Sequence, residues 1–143
     1  MAGREQSRQS AAGSPHDKSV GVERGSTQET YARTYWESKG VIVRTYQTQD
    51  LVYRDFLSGR LDASLQSSVQ ADLGFVKTAK GANFEFAGPA LLDPKTLGVG
   101  SAIGVRKEDD ALRIQIDQAL ASLIQDETYQ RIATKYFPFD IHN

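Results

Sequence analysis

Two hydroxyl side chains stand where a short apolar run of the sequence gives way to a helix. The run 20–22 is followed by Gly25, then by Ser26 and Thr27, and Glu29 lies in the first turn of the helix that this pattern predicts. A helix N-terminus carries partial positive charge and backbone N–H groups without partners, so it can hold a carboxylate or a phosphate. The same pattern is typical of an ordinary capped helix in an α/β domain, and by itself it favours that simpler interpretation.

A second polar pair, Gln66 and Ser67, follows another predicted strand. Strands that alternate with helices indicate a parallel, doubly wound sheet, and ligands of such sheets bind at the carboxyl ends of the strands. Both polar segments are therefore expected at one edge of the sheet. The candidate ligand-binding residues are Ser26, Thr27, Gln28 and Ser67.

The elements that must position these residues are read from the hydrophobic pattern. Strands are predicted at 19–22, 41–46, 61–65 and 84–87, and helices at 27–39, 50–57, where Asp50 is the expected cap, and 68–77. After an irregular connection at 89–100, the sequence predicts a strand at 101–105, a long helix capped by Asp109 or Asp110, and a shorter helix at 128–136.

Composition excludes several functions. The chain of 143 residues has no cysteine, a formal net charge of −1 and scattered Lys and Arg, so disulfide chemistry is excluded and no nucleic-acid partner is indicated. The two histidines, His16 and His142, lie far apart in the tails, so neither a metal nor another cofactor is expected. Residues 1–17 are expected to form a disordered leader, and they lack the apolar core of a signal peptide.

An ordered succession of short segments resembles the periplasmic amino-acid-binding proteins of ABC importers, which form solute-binding protein family 3. The branch that carries lysine, arginine, ornithine and histidine is the most similar. The segments that carry the resemblance are 25–28, 46–51, 57–63, 86–89, 98–100, 104–109 and 129–137. The resemblance extends from about residue 18 to the C-terminus.

The resemblance implies a three-layer α/β lobe of the type II periplasmic-binding-protein kind, with a mostly parallel sheet. It implies that 18–97 forms the second lobe, and that 98–143 forms a crossing segment and the C-terminal helices of the first lobe. The chain then looks N-terminally truncated, so weak or no ligand binding is expected. An ABC permease partner and a periplasmic location are implied, while the lack of a signal peptide in residues 1–17 leaves a cytoplasmic location open.

The resemblance also implies roles for single residues. Thr27 matches a threonine that meets the ligand carboxylate, and Ser26 keeps the hydroxyl of the family's usual threonine. Gln28 matches a side chain in the cleft, although a solvated first-turn residue is an equally good interpretation. Ser67 stands where the family has an aspartate that pairs with the ligand ammonium, and Glu127 stands where the family has glycine.

Two other functions remain open from the sequence. The C-terminal helices carry an apolar face that could make the chain a non-binding interaction or dimerisation module. The fold also hosts cyclohexadienyl dehydratase-like enzymes, which need a general acid or base in the cleft. Glu23 is the only carboxylate at the predicted edge, and a surface role suits it better. The expectation is therefore a binding protein with no catalytic residues.

Overall fold

The computed structural model of the chain describes residues 2–3 and 17–139, and within them five strands form one sheet. The strands are β1 (Ala2–Gly3), β2 (Ser19–Glu23), β3 (Ile42–Tyr46), β4 (Ala63–Ser64) and β5 (Phe84–Glu85). Across the sheet they run in the order β3-β2-β4-β1-β5. Strand β2 is parallel to both β3 and β4, whereas β1 is antiparallel to β4 and β5. The predicted α/β fold with a parallel central sheet is confirmed.

The described helices follow the strands. They are α1 (Thr27–Tyr35), α2 (Gln49–Leu57), α3 (Ser68–Ala71), α4 (Asp110–Gln125) and α5 (Thr128–Ala133). Short 3-10 segments cover Glu37–Lys39 and Ala79–Gly81, and the π-helical segment Asp72–Val76 continues directly from α3. None of these helices is both long enough and apolar enough to cross a membrane.

Successive side chains of β2 point to opposite faces of the sheet, and the hydrophobic core is divided into two clusters accordingly. Val20 and Val22 are buried together with Ala32 of α1. A Cβ placed on the intervening Gly21 would lie only 2.5 Å from the Leu61 side chain, so the other face of β2 is closely covered as well. The cluster on that face consists of Val52, Phe56, Leu61 and Phe75. Helices α1 and α2 therefore cover opposite faces of the sheet, which gives the three-layer arrangement.

The π-helical segment is held by aromatic packing and by a close backbone approach. The rings of Phe75 and Tyr53 are stacked with their centroids 4.4 Å apart. Gly81 is buried, and a Cβ added there would collide with the backbone carbonyl oxygen of Phe75. Only glycine permits that approach.

The chain divides into two compact units, 1–99 and 100–143. In the second unit, α4 begins after Asp109, as predicted. Glu127, between α4 and α5, has the left-handed backbone conformation with φ +61° and ψ +8°. The assignment of the two units to lobes of a larger protein stays a prediction.

Several sequence expectations differ from the structure. Thr48, rather than Asp50, is the N-cap of α2, and Asp50 lies in the first turn, where its charge still suits the helix dipole. Residues 101–105 are not a strand, and positive φ angles at Gly98 and Gly100 interrupt the extended backbone before them. Ala2–Gly3 form a strand instead of disordered leader, because the exposed edges of β4 and β5 supply backbone partners. The rest of the expected leader up to residue 16, including His16, lies outside the described residues, as does His142.

Candidate functional site

The N-terminus of α1 begins directly beyond the carboxyl end of β2. Gly25 makes the turn with φ +75°, and Ser26 follows in extended conformation as the N-cap. The Ser26 hydroxyl donates to the Glu23 carbonyl oxygen at 2.6 Å and accepts from the Glu29 backbone N–H at 3.1 Å. Because this hydroxyl both donates and accepts within the turn, the main role of Ser26 is to cap the helix.

Glu29 completes the cap from the third residue of the helix. Its carboxylate accepts from the Gly25 backbone N–H at 2.7 Å and pairs with Arg33 at 2.9 Å. In a standard capping box the side chain at this position accepts from the N–H of the N-cap residue. The Glu29 carboxylate instead accepts from the N–H of Gly25, one residue before the N-cap. The Gly25 N–H, followed by the Arg33 guanidinium, lowers the pKa of Glu29 below its usual value.

Two backbone donors at this terminus remain free. The N–H groups of Thr27 and Gln28 have no acceptor among residues 2–3 and 17–139. The Thr27 side chain is exposed, and its hydroxyl donates to the Gln28 amide oxygen at 3.3 Å. A carboxylate in front of α1 would therefore meet two N–H donors and the positive end of the helix dipole, and it could compete with the Gln28 amide oxygen for the Thr27 hydroxyl proton.

Ser67 lies beyond the neighbouring strand. Because β4 pairs in parallel with β2, the segments that follow the two strands leave the sheet at the same edge. Ser67 is exposed and precedes α3, but its hydroxyl makes no cap hydrogen bond. The structure thus brings the four predicted residues to one edge, where 26–28 offer donors and Ser67 offers a neutral hydroxyl.

A buried polar network lies behind Ser67, and sequence reasoning missed most of it. The Tyr53 hydroxyl donates to the Gln66 amide oxygen at 2.7 Å, and Gln49 Nε2 donates to Ser64 Oγ at 3.2 Å. A signal was present in the sequence, because residues four apart on a helix and two apart on a strand each share one face. Nothing in the sequence alone showed that these two faces meet.

The chemistry available at this edge is that of hydrogen bonding. The four residues carry hydroxyl, amide and backbone N–H groups and no ionised side chain. Glu23, the carboxylate considered for acid–base chemistry, is half-buried at the end of β2. In the described part of the chain, no cluster of three or more His, Cys, Asp or Glu side chains could hold a metal ion.

Fold and edge together define an α/β domain with hydrogen-bonding groups at the carboxyl ends of its parallel strands. The pattern of the bacterial extracellular solute-binding proteins, family 3, matches residues 19–139. The chain belongs to that family.

Individual relatives agree with this assignment. The chain is 50% identical over 125 residues to the lysine/arginine/ornithine-binding periplasmic protein of Escherichia coli (strain K12), a match that covers 87% of this chain and 48% of the relative. It is 45% identical, with the same coverage, to the histidine-binding periplasmic protein of Salmonella typhimurium (strain LT2). It also resembles the solved structure of an ancestral arginine-binding protein bound to arginine, with a TM-score of 0.62, 30% identity, and coverage of 84% of this chain and 50% of that chain.

The chain spans about half the length of the relatives that it matches. These relatives are named as binding proteins and not as enzymes, in agreement with the expectation of a non-catalytic protein. Two of them are periplasmic by name.

Proposed function

We propose that the chain contributes part of a binding site for a basic L-amino acid of the lysine, arginine, ornithine or histidine type, as in the substrate-binding component of an ABC importer. The observation that carries the proposal is the parallel pairing of β2 with β4, which brings the free donors of α1 and the Ser67 hydroxyl to one edge. Family membership and the names of the relatives support this ligand class. An ABC permease as partner and a periplasmic location belong to the same proposal.

In this proposal the ligand carboxylate lies in front of α1. The backbone N–H groups of Thr27 and Gln28 donate to it, and the Thr27 hydroxyl becomes a third donor when it exchanges its bond to the Gln28 amide oxygen for one to the ligand. Ser26 and Glu29 act indirectly, because their own hydrogen bonds fix the turn that presents these donors. The helix dipole adds a favourable interaction of about 0.3–1 kcal/mol at an exposed terminus.

The ligand ammonium has a weaker partner. The resemblance implies an aspartate at position 67, where this chain has serine. A serine hydroxyl accepts a hydrogen bond but supplies no negative charge, and a hydrogen bond to a charged group contributes about 1.5–3 kcal/mol. Serine in place of aspartate is therefore expected to weaken the affinity for the ligand by about one to two decades. We therefore expect the 143-residue chain by itself to bind these amino acids at about millimolar affinity or weaker.

Titration calorimetry of the chain with arginine, lysine, ornithine and histidine tests the affinity, and Thr27→Ala tests the carboxylate position. Thr34→Ala is the matched control, because Thr34 is an exposed threonine of the same helix away from its N-terminus. We expect Thr27→Ala to weaken arginine binding and Thr34→Ala to leave it unchanged. A micromolar dissociation constant for the unmodified chain would contradict the weak-site proposal, and equal effects of both variants would contradict the position of the carboxylate.

The second candidate function is self-association through α4. No residue of α4 is buried, and four large apolar side chains on one side of it are between 37% and 47% exposed, namely Leu112, Leu120, Leu123 and Ile124. Burial of one large aliphatic side chain stabilises by about 1.5–3 kcal/mol, so this surface favours association. We propose a homodimer formed through the C-terminal helices as the alternative to ligand binding.

Light scattering over a concentration series tests the dimer. The double variant Leu120→Glu/Leu123→Glu should keep the chain monomeric at concentrations where the unmodified chain has twice the monomer mass. The control Gln118→Glu/Gln125→Glu introduces the same charge on the opposite side of α4 by helical periodicity and should leave the mass unchanged. A monomer at all concentrations would contradict the proposal.

A further inference from the structure

Helix α2 is joined to the carboxyl end of β4 by two side-chain hydrogen bonds. Gln49 and Tyr53 are four residues apart on α2, and their partners Ser64 and Gln66 are two apart on the strand and its continuation. Each pair of residues therefore lies on one face of its element, and the two faces meet. The Gln49–Ser64 bond is buried, and the Tyr53–Gln66 bond is partly buried.

The Tyr53–Gln66 bond controls the orientation of the Gln66 amide. Gln66 Nε2 is buried and has no hydrogen-bond partner in the described part of the chain, so Tyr53 is the side chain that holds this amide. A tyrosine hydroxyl is protonated at neutral pH and can donate, and burial raises the pKa of Tyr53 further above its ordinary value. Stacking on Phe75 fixes the Tyr53 ring in turn.

The residue after Gln66 is the exposed Ser67. The backbone of Leu65 is bonded to β2, because its N–H donates to the Gly21 carbonyl oxygen at 3.1 Å. Beyond that bond, the path from Leu65 to α3 is held by two hydrogen bonds, from the Tyr53 hydroxyl to the Gln66 side chain and from the Ala71 N–H to the Ser67 carbonyl oxygen at 2.9 Å. We propose that Tyr53 and Gln66 are positioning residues, whose hydrogen bond holds the 65–67 segment and thereby sets the place of Ser67 at the sheet edge.

The proposal concerns the conformation of the 65–67 segment, and its consequence for binding rests on the proposed function. A probe of conformation therefore tests it independently of any ligand. The chain has no cysteine, so Ser67→Cys introduces a single thiol that can be labelled with a trifluoroethyl group and observed by ¹⁹F NMR. Ser38→Cys supplies a reference label at an exposed position in Glu37–Lys39.

Tyr53→Phe removes only the hydroxyl. Tyr46→Phe is the matched control, because the Tyr46 hydroxyl also makes a 2.7 Å hydrogen bond in the same unit, to Asp55. We expect Tyr53→Phe to add a second resonance to, or broaden, the label at position 67, and to leave the label at position 38 unchanged. Tyr46→Phe should leave the label at position 67 unchanged.

Three outcomes would overturn the proposal. They are an unchanged resonance at position 67 in Tyr53→Phe, the same change at position 38, and the same change in Tyr46→Phe. The first shows that the bond does not position the segment, and the other two show general loosening of the structure. Gln66→Leu tests the other partner of the bond and should reproduce the effect, and the effects of the two variants together should not add. An unchanged resonance in Gln66→Leu would overturn the proposal if Tyr53→Phe fails to fold.

Arginine titration then links the conformation to binding. Ser67→Asp is expected to raise arginine affinity about tenfold, and this gain should be lost when Tyr53→Phe is added. If the label responds as expected but no variant binds arginine, the positioning role holds and the proposed function fails. If the label responds but the tenfold gain survives Tyr53→Phe, the link between the segment and the ligand is refuted.

Discussion

Replacement of Glu127 tests how much the left-handed backbone conformation of this one residue destabilises the turn between α4 and α5. Glu127 is a non-glycine residue with φ +61°, at the turn that joins α4 to α5. Its backbone N–H donates to the Ile124 carbonyl oxygen at 3.2 Å, and its carbonyl accepts from Arg131 N–H at 2.9 Å. The turn therefore keeps its shape whichever side chain is present, and Glu127→Gly should change only the conformational cost.

The size of the effect follows from two opposing terms. A left-handed conformation costs an L-residue about 1–2 kcal/mol, which glycine does not incur. Glycine also increases the freedom of the unfolded chain, which offsets about 0.4–1 kcal/mol of the gain. We expect Glu127→Gly to stabilise the turn by about 0.5–1 kcal/mol, which corresponds to about a two- to fivefold increase in protection of the α5 amides against hydrogen exchange.

Glu127→Ala separates backbone strain from charge. Alanine removes the carboxylate but keeps the Cβ, so its amide protection should stay close to that of the unmodified chain. Protection in Glu127→Ala that equals that of Glu127→Gly would assign the gain to loss of the carboxylate and refute the argument from φ. An unchanged protection in Glu127→Gly would show that the turn does not hold this conformation in solution.

Three other predictions address the first unit. The lowered pKa of Glu29 means that its contribution to stability is fully present above its unfolded-state pKa of about 4.3 and is lost as the pH falls through its folded-state pKa. The protection factors of the α1 amides, which are corrected for the intrinsic pH dependence of amide exchange, should therefore fall in acid, and this fall should be absent in Glu29→Gln and retained in Glu37→Gln. Ser67→Asp should raise the affinity for arginine about tenfold by calorimetry, and an unchanged affinity would show that no ammonium subsite lies there. Gly81→Ala should lower the free energy of unfolding by about 1–3 kcal/mol in a urea titration, whereas Gly104→Ala, which has open space around its Cβ, should have little effect.

The α1 terminus was predictable because its signals are local. Gly25, Ser26 and Glu29 lie within five residues of one another, and each has a strong positional preference at the start of a helix. The parallel direction of β2 and β4 followed from the strand–helix alternation, whereas their direct pairing is seen only in the structure. Both parts of the candidate edge could therefore be located before the structure was known.

Features that depend on contacts distant in sequence could not be predicted. The π-helical segment Asp72–Val76 has the composition of an ordinary helix, and its geometry is supported by the stacking of Phe75 on Tyr53. Residues 101–105 have a strand-like composition, but a strand also needs a neighbour to pair with. The Tyr53–Gln66 bond joins residues 13 apart, and no local pattern indicates that distance.

The opposite edge of the sheet has a consequence for how this protein can change. There, the Asp62 carboxylate accepts from both the backbone N–H and the hydroxyl of Ser19, at 2.8 Å and 2.9 Å, and Lys18 pairs with the same carboxylate. These bonds fix the register of β2 against β4 at the amino ends of the two strands, which are remote from residues 26–28 and Ser67. Substitutions in the loops at the candidate edge can therefore change the groups presented there without removing the bonds that align β2 with β4.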